Sequence, residues 1–416
     1  MGETTFPGNP VIQSRAFSIL FCASLPLNTF LLVPAIEGTI LPYLLGLGTL
    51  PLALLGWAGL RSDIWTSYVK TLGCFAAFWF FFLWMSQLGN YFGTLQSFEY
   101  LNLIKPEIPG ILFRKTLFTQ SLYFLACVSI FLYFKYIFPR EHLKYLQLCC
   151  WVFLAYGFYE WIFYLVFGFS GDFIANRKME EAVEGSWSGS WSQPFGFMGM
   201  TLMRFKSTFG EPSFFSLACV PFFFVYLILE NRVLAGLLFL ALVLTISTSA
   251  YLGVLAGLVA LLILRPSLDR RSLVILGVLL TAFIISLSIY WLDWELWNGI
   301  FGAKFSGEID SGAKRIEQKY YYDRAYEALT LWQKTFGVGQ GYSYQSVLLA
   351  NLVNFGYLGS LFFFFLFLTP LARNLQKMNA WNFSAMIICF LYVINLAELY
   401  QPTTWALLGL AWRQDL

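Results

Sequence analysis

Long apolar runs recur from one end of this chain to the other, and that pattern limits its fold more than any motif within it. Inside a bilayer no water reaches the backbone. A spanning segment must therefore satisfy its own peptide groups, which an α-helix of about 17–25 apolar residues does. Reading for such runs gives roughly eleven or twelve spans. They fall near 16–36, 39–60, 68–88, 116–138, 145–169, 211–230, 233–248, 250–265, 272–290, 345–369, 382–399 and 402–412. The last run is short for a span, and a half-helix is equally open. The pair from Val233 to Leu264 is divided by Ser247, Thr248 and Ser249, and reads as a tight hairpin with its polar turn at or just inside one membrane face. Hydrophobic residues make up 58% of the 416 and charged residues 12%. A soluble domain carries about a quarter charged residues, so this chain lacks the polar surface to face water all round. The expected fold class is an all-α polytopic integral membrane protein, a single transmembrane domain over 1–416.

Basic residues in short connections set the expected orientation. Alternate connections carry Arg61 and Lys70, then Lys135, Arg140 and Lys144, then Arg232, then Arg265, Arg270 and Arg271, then Arg373 and Lys377. The turns around Glu37 and around Ser247–Ser249 carry none. That pattern places the basic set and the N-terminus in the cytoplasm, and leaves 89–115, 170–210 and 291–344 outside. The two later loops, 170–210 and 291–344, are large and carry both basic residues and tryptophan.

Several chemistries are excluded or narrowed. A net charge of +3 does not point to nucleic acid. All seven cysteines lie within apolar runs and none has metal-ligand spacing, so they read as buried small hydrophobes with neither disulfides nor metal expected. No charged n-region followed by a small-residue cleavage site marks a removable signal peptide. The single histidine, His142, sits in a cytoplasmic connection, so external chemistry must proceed without a histidine base.

The run from Met203 to Ser213 leads into the sixth span, with Pro212 reading as a helix start after Gly210 and Glu211. A helix N-terminus presents unpaired N–H groups and partial positive charge. Arg204 and Lys206 lie just ahead of it, an arrangement suited to a phosphate or pyrophosphate. The alternative is that both cations snorkel to the interface while Glu211 faces the helix dipole. Spacing alone leaves both open.

The stretch Arg204-x-x-Ser207-x-Phe209-Gly210-Glu211-Pro212-Ser213 resembles the signature of Wzy-type O-antigen polymerases, in the O-antigen ligase/polymerase superfamily. Two further stretches are similar to that superfamily. One is Gly337-Val338-Gly339-Gln340-Gly341, followed by Asn351 and Phe355-Gly356-Tyr357-Leu358-Gly359; the other is the hairpin from Leu244 to Gly253. Together they cover roughly residues 200–360. The resemblance implies a GT-C-like glycosyltransferase architecture in the bacterial inner membrane with its active site facing the periplasm. It implies transfer of a growing glycan from undecaprenyl pyrophosphate onto another carrier-linked repeat unit. It implies neither a nucleotide sugar nor any metal or cofactor, and a chain-length-regulating co-polymerase as partner. Family arginines in the two large loops match Arg204 and, in the second loop, Arg315, with Arg324 as the alternative. Ligases carry a histidine shortly after the glycine-rich turn, where this chain has Tyr342, Ser343, Tyr344 and Gln345, and that departure favours polymerase over ligase.

Displacing a pyrophosphate from an anomeric carbon requires stabilised leaving-group charge and an oriented or deprotonated hydroxyl. Arg204 and Arg315 suit the first task, with Lys206 or Arg324 in support. Glu211 is the candidate base, or the group that orients an arginine. Ser207, Ser213, Gly339, Gly341 and Tyr342 complete the expected substrate-binding set. Glu160, an ionisable group within span five, either lines the same cavity, pairs with Arg204, or serves Tyr156 or Tyr164; Glu398 is read in the same way. Residues 312–335 read as an interfacial helix with Tyr322, Ala325, Leu329, Trp332 and Phe336 on one side and Arg315, Lys319 and Asp323 on another. Trp187, Trp191, Trp294 and Trp297 either stack on sugars or anchor the interface. The rival classes are a ligase and a lipid-linked oligosaccharide flippase, but a flippase requires cations distributed through several spans, and here they collect in loops.

Overall fold

The computed structural model describes residues 11–36, 38–55, 60–93, 112–176, 193–197, 200–264, 320–342, 347–373, 378–394, 399–413 and 415. Helices dominate: α1 (Arg15–Ser24), α2 (Leu41–Leu54), α3 (Ser62–Phe92), α4 (Lys115–Leu132), α5 (Leu146–Phe167), α6 (Pro212–Ile228), α7 (Arg232–Leu244) and α8 (Thr248–Leu264). After a helical stretch over 320–328 come α9 (Leu331–Phe336), α10 (Val347–Arg373), α11 (Ala380–Ile394) and α12 (Pro402–Ala411). A short antiparallel hairpin, β1 (Pro194–Phe197) and β2 (Met200–Met203), pairs Pro194 with Met203.

Among the described residues, four helical stretches are long and apolar enough to cross a membrane: α3, Lys115–Ile137, Arg140–Phe167 and α10. This is a helical membrane protein. Six further apolar helices, α1, α2, α6, α7, α8 and α11, have only 10–17 residues. The run expected over 16–36 stops at Ser24 because Pro26 lacks the N–H that the next helical turn needs. The run at 272–290 lies outside the described residues. α12 resolves the ambiguous last run: ten residues reach about 15 Å, half of the roughly 30 Å hydrocarbon core, and every one of them is buried. It is a half-helix enclosed by protein, with the Trp405 indole donating to the Leu399 carbonyl at 2.8 Å.

α6 forms the centre. It is apolar on all sides and buried along nearly its whole length, as an enclosed helix must be. α7, α8, α11 and α12 surround it, while α4 joins α2 and α3 to α12. The expected polar break between α7 and α8 is present at Thr245–Ser247. Six of the cysteines are buried as expected, but Cys74 is exposed on α3.

Basic residues from separate short connections gather at one end. Lys135 and Arg373 both lie 4.8 Å from the Trp412 ring, and Arg413 donates to the Phe138 carbonyl at 2.6 Å. His142 Nδ1 pairs with the Ser18 hydroxyl at 2.8 Å, which fixes α1 against the α4–α5 connection.

α10 is broken at Gly356, where φ is 67° and ψ −171°, a region open only to glycine. A Cβ there would overlap the Thr335 carbonyl. The break frees carbonyls that the helix would otherwise use. Val338 N–H donates to the Val353 carbonyl at 2.9 Å and Gly339 N–H to the Asn354 carbonyl at 3.1 Å. Gly356→Ala is expected to cost on the order of 1–3 kcal/mol in backbone strain, before any clash, and to lower the melting temperature of detergent-solubilised protein. A melting curve identical to wild type would show that the break tolerates a side chain.

Candidate functional site

Two of the stretches noted in the sequence form one unit. Arg204 Nε donates to the Thr245 carbonyl and Nη2 to the Ile246 carbonyl, both at 2.9 Å, while Nη1 donates to the Gln193 side chain. Phe205 N–H donates to the Leu244 carbonyl at 3.0 Å. The last carbonyls of a helix have no intrahelical partner; here a guanidinium and a backbone N–H satisfy those of α7, with the positive charge at the negative end of the dipole. Two non-glycine residues beside these contacts, Ser207 (φ 54°) and Ile246 (φ 46°), adopt left-handed backbone. For branched Ile246 that conformation is uncommon and costs on the order of 1–2 kcal/mol.

Next to Arg204 lies a charged network without solvent. Lys206 is completely buried; its ammonium pairs with Glu160 of α5 and, at 3.1 Å, with Asp172 Oδ2. Asp172 Oδ1 accepts from the Tyr156 hydroxyl at 2.6 Å and from the N–H groups of Ile174 and Ala175 at 3.1 and 3.0 Å. Ser207 Oγ donates to the Phe153 carbonyl at 2.6 Å. Gly157 makes this approach possible, since a Cβ there would overlap the Phe205 ring and lie 3.0 Å from Ser207 Cβ. Glu160 therefore serves Lys206 and not Arg204, and Tyr156 serves Asp172. Lys206 is saturated by carboxylates and holds the loop to α5.

Glu211 is the N-cap of α6, extended at φ −142° and ψ 141°, and its side chain makes no capping bond. It is half-buried between Gly210, at φ 77°, and Pro212 at the first helical position. Ser213 is buried one residue further on. Phe209 and Phe214, which flank this element, line a cavity of about 50 Å³ together with Asn28, Thr29, Tyr123 and Tyr400. That volume admits a few waters and no sugar.

The glycine-rich turn builds a second cluster. Gly337, Gly339 and Gly341 all have positive φ. Asn354 clasps Tyr342 through both side-chain atoms, at 3.1 and 3.0 Å. Asn90 of α3 donates to the Val338 carbonyl at 2.9 Å, and Gln87 accepts from Phe113 N–H at 2.9 Å. Arg114, at the start of α4, is buried; it donates to the Tyr342 hydroxyl and to the Gln340 carbonyl at 3.2 Å, and lies 4.4 Å from the Tyr342 ring centre. A Cβ on Gly341 would stand 2.9 Å from Thr116 Oγ1.

α4 connects the two clusters. Thr116, Gln120 and Tyr123 fall at helical spacing on one face. Thr116 meets Gly341 and Tyr123 lines the cavity beside Phe209 and Phe214, seven residues or about 10 Å along the axis.

Arg315 lies outside the described residues, as do Glu398, Lys319 and the four loop tryptophans. Arg324 is exposed and stacks over Tyr320 at 4.7 Å. The helix expected over 312–335 is interrupted: Thr330 and Gln333 form a capping box that starts α9. Part of its apolar side packs inward, with Tyr322, Ala325 and Leu329 against Val338 and Tyr342, while Trp332 is exposed; burial pushes the Tyr322 phenol pKa up. Asp172 and Arg114 carry no distinctive sequence signal as a pair, because both stand in loops, where charge is ordinary. The signal for Arg114 was its place directly before an apolar run. Comparison with protein-family models, curated proteins and solved structures finds no match to this chain.

The network makes an asymmetric prediction. Glu160→Gln leaves Lys206 paired with Asp172, whereas Lys206→Met leaves two carboxylates facing each other. Breaking a buried pair costs about 3–5 kcal/mol, so Lys206→Met should destabilise the solubilised protein markedly more than Glu160→Gln. Equal melting temperatures for the two variants would rule this account out.

Proposed function

We propose that this protein is a membrane glycosyltransferase that polymerises glycan from undecaprenyl-pyrophosphate-linked repeat units, at the periplasmic face of a bacterial inner membrane. One observation carries the reading. Arg204 and Phe205, in the stretch that leads to Gly210-Glu211-Pro212, are hydrogen-bonded to the Leu244, Thr245 and Ile246 carbonyls, so stretches that resemble the polymerase superfamily separately also meet in space. Left-handed backbone at Ser207 and Ile246 within that junction supports it, since such conformations persist where surroundings over-determine them and cluster at functional sites.

In the reaction, an acceptor hydroxyl oxygen attacks the anomeric carbon and the bond to the carrier pyrophosphate breaks. The bonding electron pair leaves with the pyrophosphate, and the hydroxyl proton passes to a base. Glu211 is that base in our reading: it is half-buried, stands at a helix start and does not cap it. Arg204 answers the leaving-group charge and orients this element, while Lys206 and Glu160 position the loop from behind. Gly339, Gly341 and Tyr342 are the substrate-binding residues of the glycine-rich turn in this reading, with Arg114 as the buried cation beside them. Ser213, buried at the start of α6, and Arg324 belong to the substrate-binding set in this reading, and Arg315 is included on the resemblance alone.

Glycan products in the native host, lacking its own copy and complemented with this chain, test the proposal on a gel that resolves repeat number. The wild type should give a ladder, and Glu211→Gln and Arg204→Ala, at equal protein level, a single repeat. Arg204→Lys should keep only part of the ladder, because an ammonium cannot reproduce the fork that spans two carbonyls. A full ladder with Glu211→Gln and Arg204→Ala would reject these assignments. A complete ladder that fails to reach its final acceptor without the gene would identify a ligase.

A further inference from the structure

α4 turns a polar stripe towards the protein. On its other side Phe118 and Leu122 are 55% and 58% exposed, as lipid-facing residues of a span are. Thr116, Gln120 and Tyr123 lie opposite them at helical spacing, and Thr116 and Gln120 are buried. Gln120 stands about 8 Å along the axis from Lys115. One turn before it is Thr116, which meets Gly341; one turn after it is Tyr123, which lines the cavity beside Phe209 and Phe214. Gln120 therefore lies between the glycine-rich turn and the Glu211 element.

The carboxamide of Gln120 is not used by the protein. The residue is only 6% exposed and forms no hydrogen bond among the described residues, yet neither of its polar atoms is sealed off. A polar side chain kept inside a span without a protein partner marks a place that something else visits. Towards the glycine-rich turn, Gln340 Oε1 and Arg114 Nε are buried and also lack a partner. The unmet groups are of both kinds: a carboxamide donates and accepts, Gln340 Oε1 only accepts, and Arg114 Nε only donates. An ionised phosphate answers donors alone. A sugar hydroxyl donates and accepts, so two hydroxyls on adjacent ring carbons satisfy both ends of one carboxamide.

We propose that Gln120 is a specificity-determining residue, whose carboxamide binds adjacent hydroxyls of a sugar in the carrier-linked repeat unit between the Glu211 element and the glycine-rich turn. This contact rests on the glycan reading above and adds to it a residue within a span, away from the charged loops. A site built to hydrogen-bond a substrate hydroxyl rejects analogues that lack it, because its own polar group is then left unpaired. The neighbouring cavity of about 50 Å³ has room for groups the size of a hydroxyl, so the edge of the sugar approaches α4 and its ring stays outside.

The test compares the full solubilised chain with Gln120→Met, which keeps the length of the side chain and removes its hydrogen bonding. Affinity is read from the rise in melting temperature with ligand, for the carrier-linked repeat unit of the native host and for undecaprenyl pyrophosphate without sugar. Without ligand, Gln120→Met should melt no lower than wild type, since no protein bond is lost; a lower value would reveal a protein partner and overturn the proposal. The variant should bind the repeat unit about tenfold more weakly and the bare carrier as well as wild type does. An equal loss towards the bare carrier would overturn the sugar assignment. Equal binding of the repeat unit by both proteins would overturn the role of Gln120 alone. A wild type that does not respond to the repeat unit would overturn the glycan reading, and this contact with it.

Discussion

A lysine ammonium enclosed between two carboxylates, with no water reaching it, sets the order of the helix bundle around it. Lys206 cannot leave Glu160 and Asp172 without exposing three charges to a medium that does not solvate them. Asp172 in turn ties the segment after α5 to Tyr156 and to its own backbone turn. The chain entering α6 is thereby held against α5 before α6 begins. Everything that depends on that entry follows: the left-handed turn at Ser207, the extended Glu211, and Pro212 at the first helical position.

The same scarcity of water explains how the helix ends are finished. A carbonyl left over at the end of a membrane-embedded helix finds no solvent partner. At α7 the guanidinium of Arg204 takes that place, and at the break in α10 the N–H groups of the glycine-rich turn do so. In both cases a loop that carries candidate chemistry is also the cap of a broken or shortened helix. The functional reading and the structural one are coupled here: the cation proposed for catalysis also satisfies helix-end backbone.

Much of this was legible in the residues. The helical membrane class came from apolar run length, because a span must be both long and uncharged. The start of α6 at Pro212 and the turn between α7 and α8 came from proline and from a serine–threonine cluster. Less legible was the length of individual helices. Hydropathy registers apolarity, and a buried half-helix such as α12 is as apolar as a span. The interruption at Leu329–Thr330 was hidden because the apolar side continued through it at helical spacing while the Thr330 capping box reset the helix.

By itself, the sequence determined that this chain lives in a membrane as helices, and which loops carry its charge, because those facts depend on composition along the chain. Only the tertiary structure decided which charges neutralise each other. Lys206 and Arg204 are two residues apart and looked alike as cations before a helix, yet one is sealed between Glu160 and Asp172 and the other caps α7. Partners 34 to 46 positions distant make that difference. Pairing across such separations is set by how helices pack, which no local pattern of residues encodes.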